Sequence, residues 1–265
     1  MNDRELLWLA MAFYAVAGAL TLWRLRAVGA DALRHRLNLT LIVGGFVAHT
    51  GFLYLRGQSV NRCPLTNTFE VFAFVAWAMV FFYLIIGPSY RVTLLGAFTA
   101  PVAGLIGVLA LVSPLDVVRA APLKRSPFVE AHAAIAILAW GAFAVAGIIG
   151  AMYLVQRHLL KSRHTGGLLF LLPALDQMET VMWRLLALGS ALYTAGMIGG
   201  AISHKLVGAW ALPKTLWASA VWLIYAAVVI ARAVGWWRGR RFAVSAIVAF
   251  VFSLVAFWGA SWLAR

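Results

Sequence analysis

The sequence is poor in charged residues, in acidic residues above all, and in cysteine. Only 11% of its 265 residues are charged while 64% are hydrophobic, whereas an ordinary soluble domain is about one quarter charged. A fold that buried so much apolar material would have too little polar surface to face water, which excludes a soluble enzyme, a disordered chain and a collagen. The one cysteine, Cys63, excludes an internal disulfide scaffold, a cysteine-ligated zinc or iron–sulfur site and C-x-x-C redox chemistry.

The chain is rich in long apolar runs. A bilayer core about 30 Å thick needs roughly 20 apolar residues in each helix that crosses it. The sequence therefore predicts an all-α fold, a polytopic integral membrane helix bundle of about eight transmembrane helices, and a single domain over residues 1–265, since no internal repeat is visible. The predicted spans are Glu5–Leu25, Leu37–Leu55, Thr68–Ile86, Val92–Val112, Ala131–Val155, Val181–Ile202, Leu216–Ala231 and Phe242–Leu263.

The formal net charge of +14 is explained by the membrane rather than by nucleic acid. Basic residues that flank spans are the expected topogenic signal, and they contact anionic lipid headgroups. The two densest basic clusters, Arg24–Arg36 and Arg232–Arg241, fall on the same side of the predicted bundle. The positive-inside rule then places both termini outside the cytoplasm. Because Glu5 opens the first span without a basic n-region or a small-residue cleavage site, that span is predicted to be a retained helix.

Three of the six histidines map to the extracytoplasmic leaflet. His49 lies near the outer end of the second span, His132 opens the fifth and His204 closes the sixth. An imidazole in or near the apolar zone costs free energy unless it pairs, meets water or binds a ligand. The three histidines therefore predict a ligand site. The remaining histidines sit in basic cytoplasmic loops and are interpreted as solvated: His35, His158 and His164.

Haem is the ligand that this pattern favours. Neutral imidazole binds zinc, copper and iron and is a common axial ligand of haem, but no carboxylate or H-x-x-x-H pair is present for a compact metal site. Histidines on separate helices, facing a gap lined by aromatic residues, suit a flat macrocycle. An interfacial aromatic belt would also account for most of the tryptophans. The aromatic residues of the outer half are Phe52, Tyr54, Phe69, Trp210, Trp217 and Trp222.

Two outer segments have a predicted local structure. His204–Trp222, with Gly208 and Pro213, is predicted to be an extracytoplasmic loop against the membrane, and its two lysines are suited to meet carboxylates such as haem propionates. Asn67 is predicted to cap the third helix in a capping box with Glu70, which explains that acidic residue without a catalytic role.

The chain resembles the cytochrome c assembly membrane proteins of the CcsA/ResC and HemX type, which are relatives of CcmC and CcmF. The resemblance covers nearly the whole chain and depends on the order and spacing of several stretches. These are a histidine in the second span followed by PLTNTFE (Pro64–Glu70), EAHAAIAILAWGAFAVAGIIGAMYL (Glu130–Leu154), LDQMETVMWRLLALG (Leu175–Gly189), PKTLWASAVWLIYA (Pro213–Ala226) and GWWRGRRFA near the end.

The resemblance implies roles for individual residues. In the family, histidines inside spans hold haem in transit, and histidines that flank a Trp-rich outer segment serve as axial ligands. His49 matches the transmembrane histidine and His132 the first flanking ligand, while Trp210 and Trp217 occupy the place of the Trp-rich segment. That segment is reduced here to VGAWALPKTLW, and a second flanking histidine is missing. His204 is the candidate to replace it.

The leading hypothesis is a haem-handling protein of cytochrome c biogenesis in the bacterial cytoplasmic (inner) membrane. The resemblance implies b-type haem held by His132 and His204, and a ResB-like membrane partner together with apocytochrome c. It leaves open whether the chain contributes to a haem lyase. The alternatives are a non-catalytic HemX-like regulator or accessory subunit that has lost the haem site, and a small-molecule transporter. A transporter would be expected to show paired broken helices in two repeats, and only Pro101 interrupts a span strongly.

Overall fold

The protein is helical throughout the part that the structure describes. The structure is a computed structural model, and it describes residues 2–26, 32–65, 67–89, 95–112, 116, 127–162, 172–207 and 212–263. These residues contain eight α-helices and no strand. In chain order the helices are α1 (Asp3–Arg26), α2 (Ala32–Val60), α3 (Thr68–Ser89), α4 (Leu95–Val112), α5 (Pro127–Lys161), α6 (Leu175–Val207), α7 (Leu212–Ala233) and α8 (Arg240–Leu263).

The eight predicted spans are confirmed as helices of a multi-pass membrane protein. Within the described residues, seven of them, α1 to α7, are long and apolar enough to cross a bilayer. Several extend beyond the predicted apolar runs, and α5 reaches 35 residues. Helical hydrogen bonding continues into the polar interfacial zone, so an apolar run marks the core of a span rather than its ends. The orientation of the termini stays a prediction.

The predicted loop over His204–Trp222 is wrong for most of its length. Helix α6 continues to Val207, and α7 already begins at Leu212. Pro213 is the second residue of α7, where a backbone N–H has no helical acceptor and a proline therefore removes nothing. Only residues 208–211 separate the two helices, and they lie outside the described part of the chain.

The chain divides into two compact units. The first consists of residues 1–121 with 159–173, and the second of residues 122–158 with 174–265. In the first unit α1 packs against α2 and α4, and α3 packs against α2 and α4. In the second unit α7 packs against α6 and α8. The single domain over residues 1–265 stays a prediction.

Small residues bring the helices of each unit close together. In the first unit the buried Tyr14 of α1 lies against Gly45 of α2 and Gly104 of α4. In the second unit Phe143 of α5 packs against Gly189 of α6, where a Cβ would lie only 2.6 Å from the ring. Helices in lipid associate through close packing of this kind, because apolar burial between them gains little over contact with lipid tails.

The junction between α2 and α3 is defined by two caps. Asn61 adopts a left-handed conformation with φ of 51°, and the N–H of Arg62 donates to the carbonyl of Gly57 at 3.1 Å, which is the pattern of a Schellman motif. At the start of α3, the side-chain oxygen of Asn67 accepts the N–H of Glu70 at 2.8 Å. The predicted N-cap is therefore confirmed.

Replacing Asn67 by alanine should destabilise the protein by about 2–4 kcal/mol, because a lost N-cap costs roughly 1 kcal/mol and a lost hydrogen bond to a carboxylate costs about 1.5–3 kcal/mol. That second bond runs from the Asn67 amide to Asp116 at 2.8 Å. Thermal unfolding followed by circular dichroism in detergent measures the change. Asn67→Ser keeps an N-cap acceptor and should recover the part of the loss that comes from the N-cap. An alanine variant as stable as the wild type would contradict this role.

Candidate functional site

His132 lies in the second turn of α5, beside α6. Its Nδ1 is 3.1 Å from the backbone carbonyl oxygen of Phe128 and 3.4 Å from the hydroxyl oxygen of Ser203. That hydroxyl donates its own hydrogen to the carbonyl of Gly199 at 2.8 Å. Both partners of Nδ1 therefore act as acceptors, and the ring is fixed between one turn of its own helix and the neighbouring helix.

This hydrogen-bond pattern assigns the tautomer of His132. A carbonyl oxygen has only lone pairs to offer, so Nδ1 must carry the hydrogen. In the neutral ring Nε2 then holds the lone pair, and no hydrogen bond to it is found within the described residues. A histidine whose Nδ1–H is bonded to a carbonyl and whose Nε2 is free has the arrangement common to metal-ligating histidines.

Glycines on α6 make room for the imidazole. A Cβ added at Gly199 would lie 2.8 Å from Cβ of His132, and one added at Gly200 would lie 3.4 Å from Cδ2 and 3.7 Å from Nε2. A side chain at Gly199 would therefore clash with Cβ of His132, whereas the ring and Nε2 lie over Gly200 at ordinary contact distance. The two glycines thus differ in how tightly they are packed.

Replacing Gly199 by alanine should separate α5 from α6 at His132 and destabilise the protein by about 1–3 kcal/mol, the usual cost of overpacking. Gly200→Ala is the matched control, because its Cβ would make only ordinary contacts and the lost glycine should favour the helix by about 0.5–1 kcal/mol. Thermal unfolding of the two variants tests the difference. Equal stabilities would contradict the close approach at Gly199.

The structure describes the other predicted site residues of the second unit to different extents. His204 directly follows Ser203, and its backbone lies one helical turn beyond Gly200 on α6, although its side chain is outside the described part. Trp210 is also outside it, as are the side chains of the two lysines of the predicted loop. Trp217 is half-buried in the first turns of α7, with its ring centroid 6.3 Å from that of Phe252 in α8.

The first half of α7 is tied to the middle of α6 by two hydrogen bonds. The hydroxyl of Tyr193 donates to the carbonyl of Ala218 at 3.4 Å, and the indole of Trp222 donates to the hydroxyl of Thr194 at 2.9 Å. The Trp217 position is therefore held against the helix that carries the His132 contact.

His49 lies in the core of the first unit. It is completely buried, and the rings of Tyr14 and Phe52 lie with their centroids 6.1 Å from its own. Neither ring nitrogen forms a hydrogen bond of ordinary geometry among the described residues, although the backbone of Ala73 on α3 is close enough to interact with the ring, and the hydroxyl of Tyr14 forms none either. Buried polar atoms without partners are rare because each costs about 1–3 kcal/mol, so His49 and Tyr14 mark a position suited to a ligand.

An ion-pair cluster around Arg56 was not predicted from the sequence. Arg56 Nε lies 2.9 Å from Oε1 of Glu70, Nη1 lies 3.2 Å from Oδ2 of Asp3, and Nη2 contacts Oδ1 of Asp116. Arg4 pairs with the other oxygen of Asp116 at 2.8 Å. From the sequence, Glu70 was explained only as a member of the capping box at the start of α3. Its carboxylate, which is completely buried, also neutralises an arginine two helical turns after His49.

Comparison with known proteins identifies the family. Residues 65–265, well over half of the chain, match the family described as cytochrome C assembly protein. The chain belongs to the cytochrome c assembly protein family. The matched residues contain α3 to α8 and therefore the whole of the His132 environment.

Relatives from this family match most of the chain. It is 26% identical to the cytochrome c biogenesis protein CcsA of Thermosynechococcus vestitus, over 98% of this chain and 92% of that protein. It is 28% identical to the protein of the same name from Synechococcus sp., over 91% and 87%. The protein HemX of Brevibacillus brevis is 29% identical over 65% of this chain and 64% of its own length. As a member of this family the chain is a multi-pass membrane protein with a role in cytochrome c assembly.

Proposed function

We propose that this cytochrome c assembly protein binds b-type haem in the bacterial cytoplasmic membrane, with His132 and His204 as the axial ligands. The observation that carries the proposal is the free Nε2 of His132, whose ring is fixed through Nδ1 by Phe128 and Ser203. His204 follows that same Ser203 in the chain. Histidine is a common axial ligand of haem iron, and a pair from two adjacent helices would supply both axial positions.

The residues around His132 fit this task. Phe128 and Ser203 hold the hydrogen on Nδ1 and keep Nε2 basic. Gly200 leaves space beside the ring edge that carries Nε2. No group of three or more histidine, cysteine or acidic side chains suited to a bare metal ion is present in the described residues, so a macrocycle that brings its own four nitrogens matches the donor set better than a compact metal centre.

The protein would act by holding and shielding the cofactor rather than by acid–base catalysis. Bound haem supplies the iron that the histidines coordinate and the vinyl groups that become thioethers in c-type cytochromes. Trp217 and the apolar side chains of α7 would exclude water from the macrocycle edge. A ResB-like membrane partner and apocytochrome c, which brings the thiols, would complete the assembly. His49 would hold haem at a second position.

Deletion of the gene should abolish haem-stained c-type cytochromes in membranes of the host, and the wild-type gene should restore them. The His158→Ala variant is the control for complementation, because His158 is an exposed residue at the other end of α5. The His132→Ala variant should fail to complement. Normal c-type cytochromes in the deletion strain would contradict the proposal and favour an accessory subunit, which the reduced Trp-rich segment VGAWALPKTLW would suit.

A further inference from the structure

The ion pairs around Arg56 join four segments at one end of the first unit. The Arg56 cluster consists of Asp3, Arg4, Arg56, Glu70 and Asp116. These residues come from the start of α1, the last turns of α2, the first turn of α3 and the chain after α4. Each of the three guanidinium nitrogens of Arg56 contacts a different carboxylate. One side chain therefore connects the other three of these four segments.

The cluster is buried enough for its ion pairs to matter. The side chain of Arg56 is 15% exposed and that of Glu70 is 0% exposed. Removing one partner from such a pair leaves a charge without compensation in a medium of low dielectric constant, and this is strongly unfavourable. Lysine cannot replace the arginine, because an ammonium group lacks the planar fork that reaches several carboxylates at once.

Aromatic contacts connect the cluster with His49. The guanidinium carbons of Arg4 and Arg56 lie 5.4 and 5.6 Å from the ring centroid of Phe69. That ring meets Phe52 edge to face at 5.8 Å, and Phe52 lies 6.1 Å from His49. His49, Phe52 and Arg56 follow one another at helical spacing on one face of α2, over a rise of about 10 Å. The cluster thus lies two turns beyond the histidine, with two phenylalanines between.

His49 has no exposed surface in the part of the chain that the structure describes. Neither of its ring nitrogens forms a hydrogen bond of ordinary geometry there, although the backbone of Ala73 on α3 is close enough to interact with the ring. We infer that the Arg56 cluster is a gate that closes this end of the first unit over His49, and that a ligand reaches His49 when the ion pairs of Arg56 separate. Separation frees the N-terminal turn of α1 from Arg56, which lets Phe69 and Phe52 move aside. This role deepens the proposed function where the ligand is haem, but the gate itself depends only on the geometry of the first unit.

Chemical modification of His49 tests the gate. Diethyl pyrocarbonate modifies neutral imidazole that it can reach, and peptide mass spectrometry measures the rate at each histidine in protein reconstituted into nanodiscs. The variants are Asp116→Asn and Arg56→Lys, which weaken the cluster while keeping polar side chains. Glu5→Gln is the matched control, because Glu5 is an exposed acid in the same turn of α1 whose carboxylate accepts the backbone N–H of Asn2 at 3.0 Å. His158, exposed on α5, reports reagent activity in every sample.

We expect His49 to react at least about tenfold faster in both cluster variants than in the wild type, equivalent to about 1.4 kcal/mol in the opening equilibrium. The rates at His158 and in Glu5→Gln should not change. Amide hydrogen exchange over residues 38–46 of α2 should also stay at the wild-type level. An unchanged rate at His49 in both variants would overturn the gate. A rise in Glu5→Gln, or faster exchange along the whole of α2, would overturn it as well, since the cluster would then support general stability alone.

The haem content of the same samples keeps this test separate from the proposed function. Faster modification of His49 in protein without haem absorbance supports the gate and contradicts haem binding. Haem absorbance together with an unchanged modification rate at His49 supports haem binding and contradicts the gate.

Discussion

The His132→Ala variant should lose most of the haem absorbance that purifies with the wild-type protein. The variant removes the free Nε2 whose orientation is fixed by Phe128 and Ser203. Loss of an outer-shell partner of a ligating histidine costs about 10- to 100-fold in affinity, and loss of the ligand itself should cost more. The pyridine haemochrome assay on detergent-purified protein gives haem per polypeptide.

Two further measurements show whether His132 acts as a ligand or only in packing. The His158→Ala variant changes a histidine of the same helix that is exposed, so it should keep the wild-type haem content. Free imidazole added to the His132→Ala variant should restore part of the absorbance, which a purely structural role of His132 would not allow. Wild-type haem content in the His132→Ala variant would contradict the proposed ligand.

The Arg56→Ala variant should lose about 3–5 kcal/mol of stability, because it removes the guanidinium that pairs with the buried carboxylate of Glu70 and with those of Asp3 and Asp116. For a chain of this length that corresponds to a fall of about 6–20 °C in the midpoint of thermal unfolding. Circular dichroism in detergent measures the midpoint, with the wild type and each variant at one protein and detergent concentration.

Arg4 supplies the matched control for this prediction. It pairs with the same Asp116 but its side chain is 47% exposed, and exposed ion pairs contribute only about 0–1 kcal/mol. The Arg4→Ala variant should therefore unfold within about 4 °C of the wild type. Equal midpoints for the Arg4→Ala and Arg56→Ala variants would show that the buried ion pairs of Arg56 contribute no more to stability than the exposed ion pair of Arg4.

The helices could be predicted from the sequence because each apolar run must satisfy its backbone within the bilayer. All eight predicted spans form helices. The cap at Asn67 was also predictable, since a capping box lies within four residues of sequence. The extent of α7 was not, because Pro213 was interpreted as a helix breaker, whereas a proline in the first turn of a helix removes no hydrogen bond.

The Arg56 cluster could not be predicted because its partners are far apart in sequence. Arg56 pairs with Asp3 across 53 residues and with Asp116 across 60, and no local pattern links these positions. The tautomer of His132 could not be predicted either, because one of the two partners of Nδ1, Ser203, lies 71 residues away in the sequence. The other partner, the carbonyl of Phe128, is only four residues earlier on the same helix.

Optical absorption and low-temperature EPR of the protein purified in detergent from haem-replete cells test the account most directly. Two imidazole ligands from His132 and His204 predict a Soret band in the oxidised and reduced protein, with the low-spin ferric signal of bis-histidine haem. Purified, folded protein without haem absorbance would contradict the central claim.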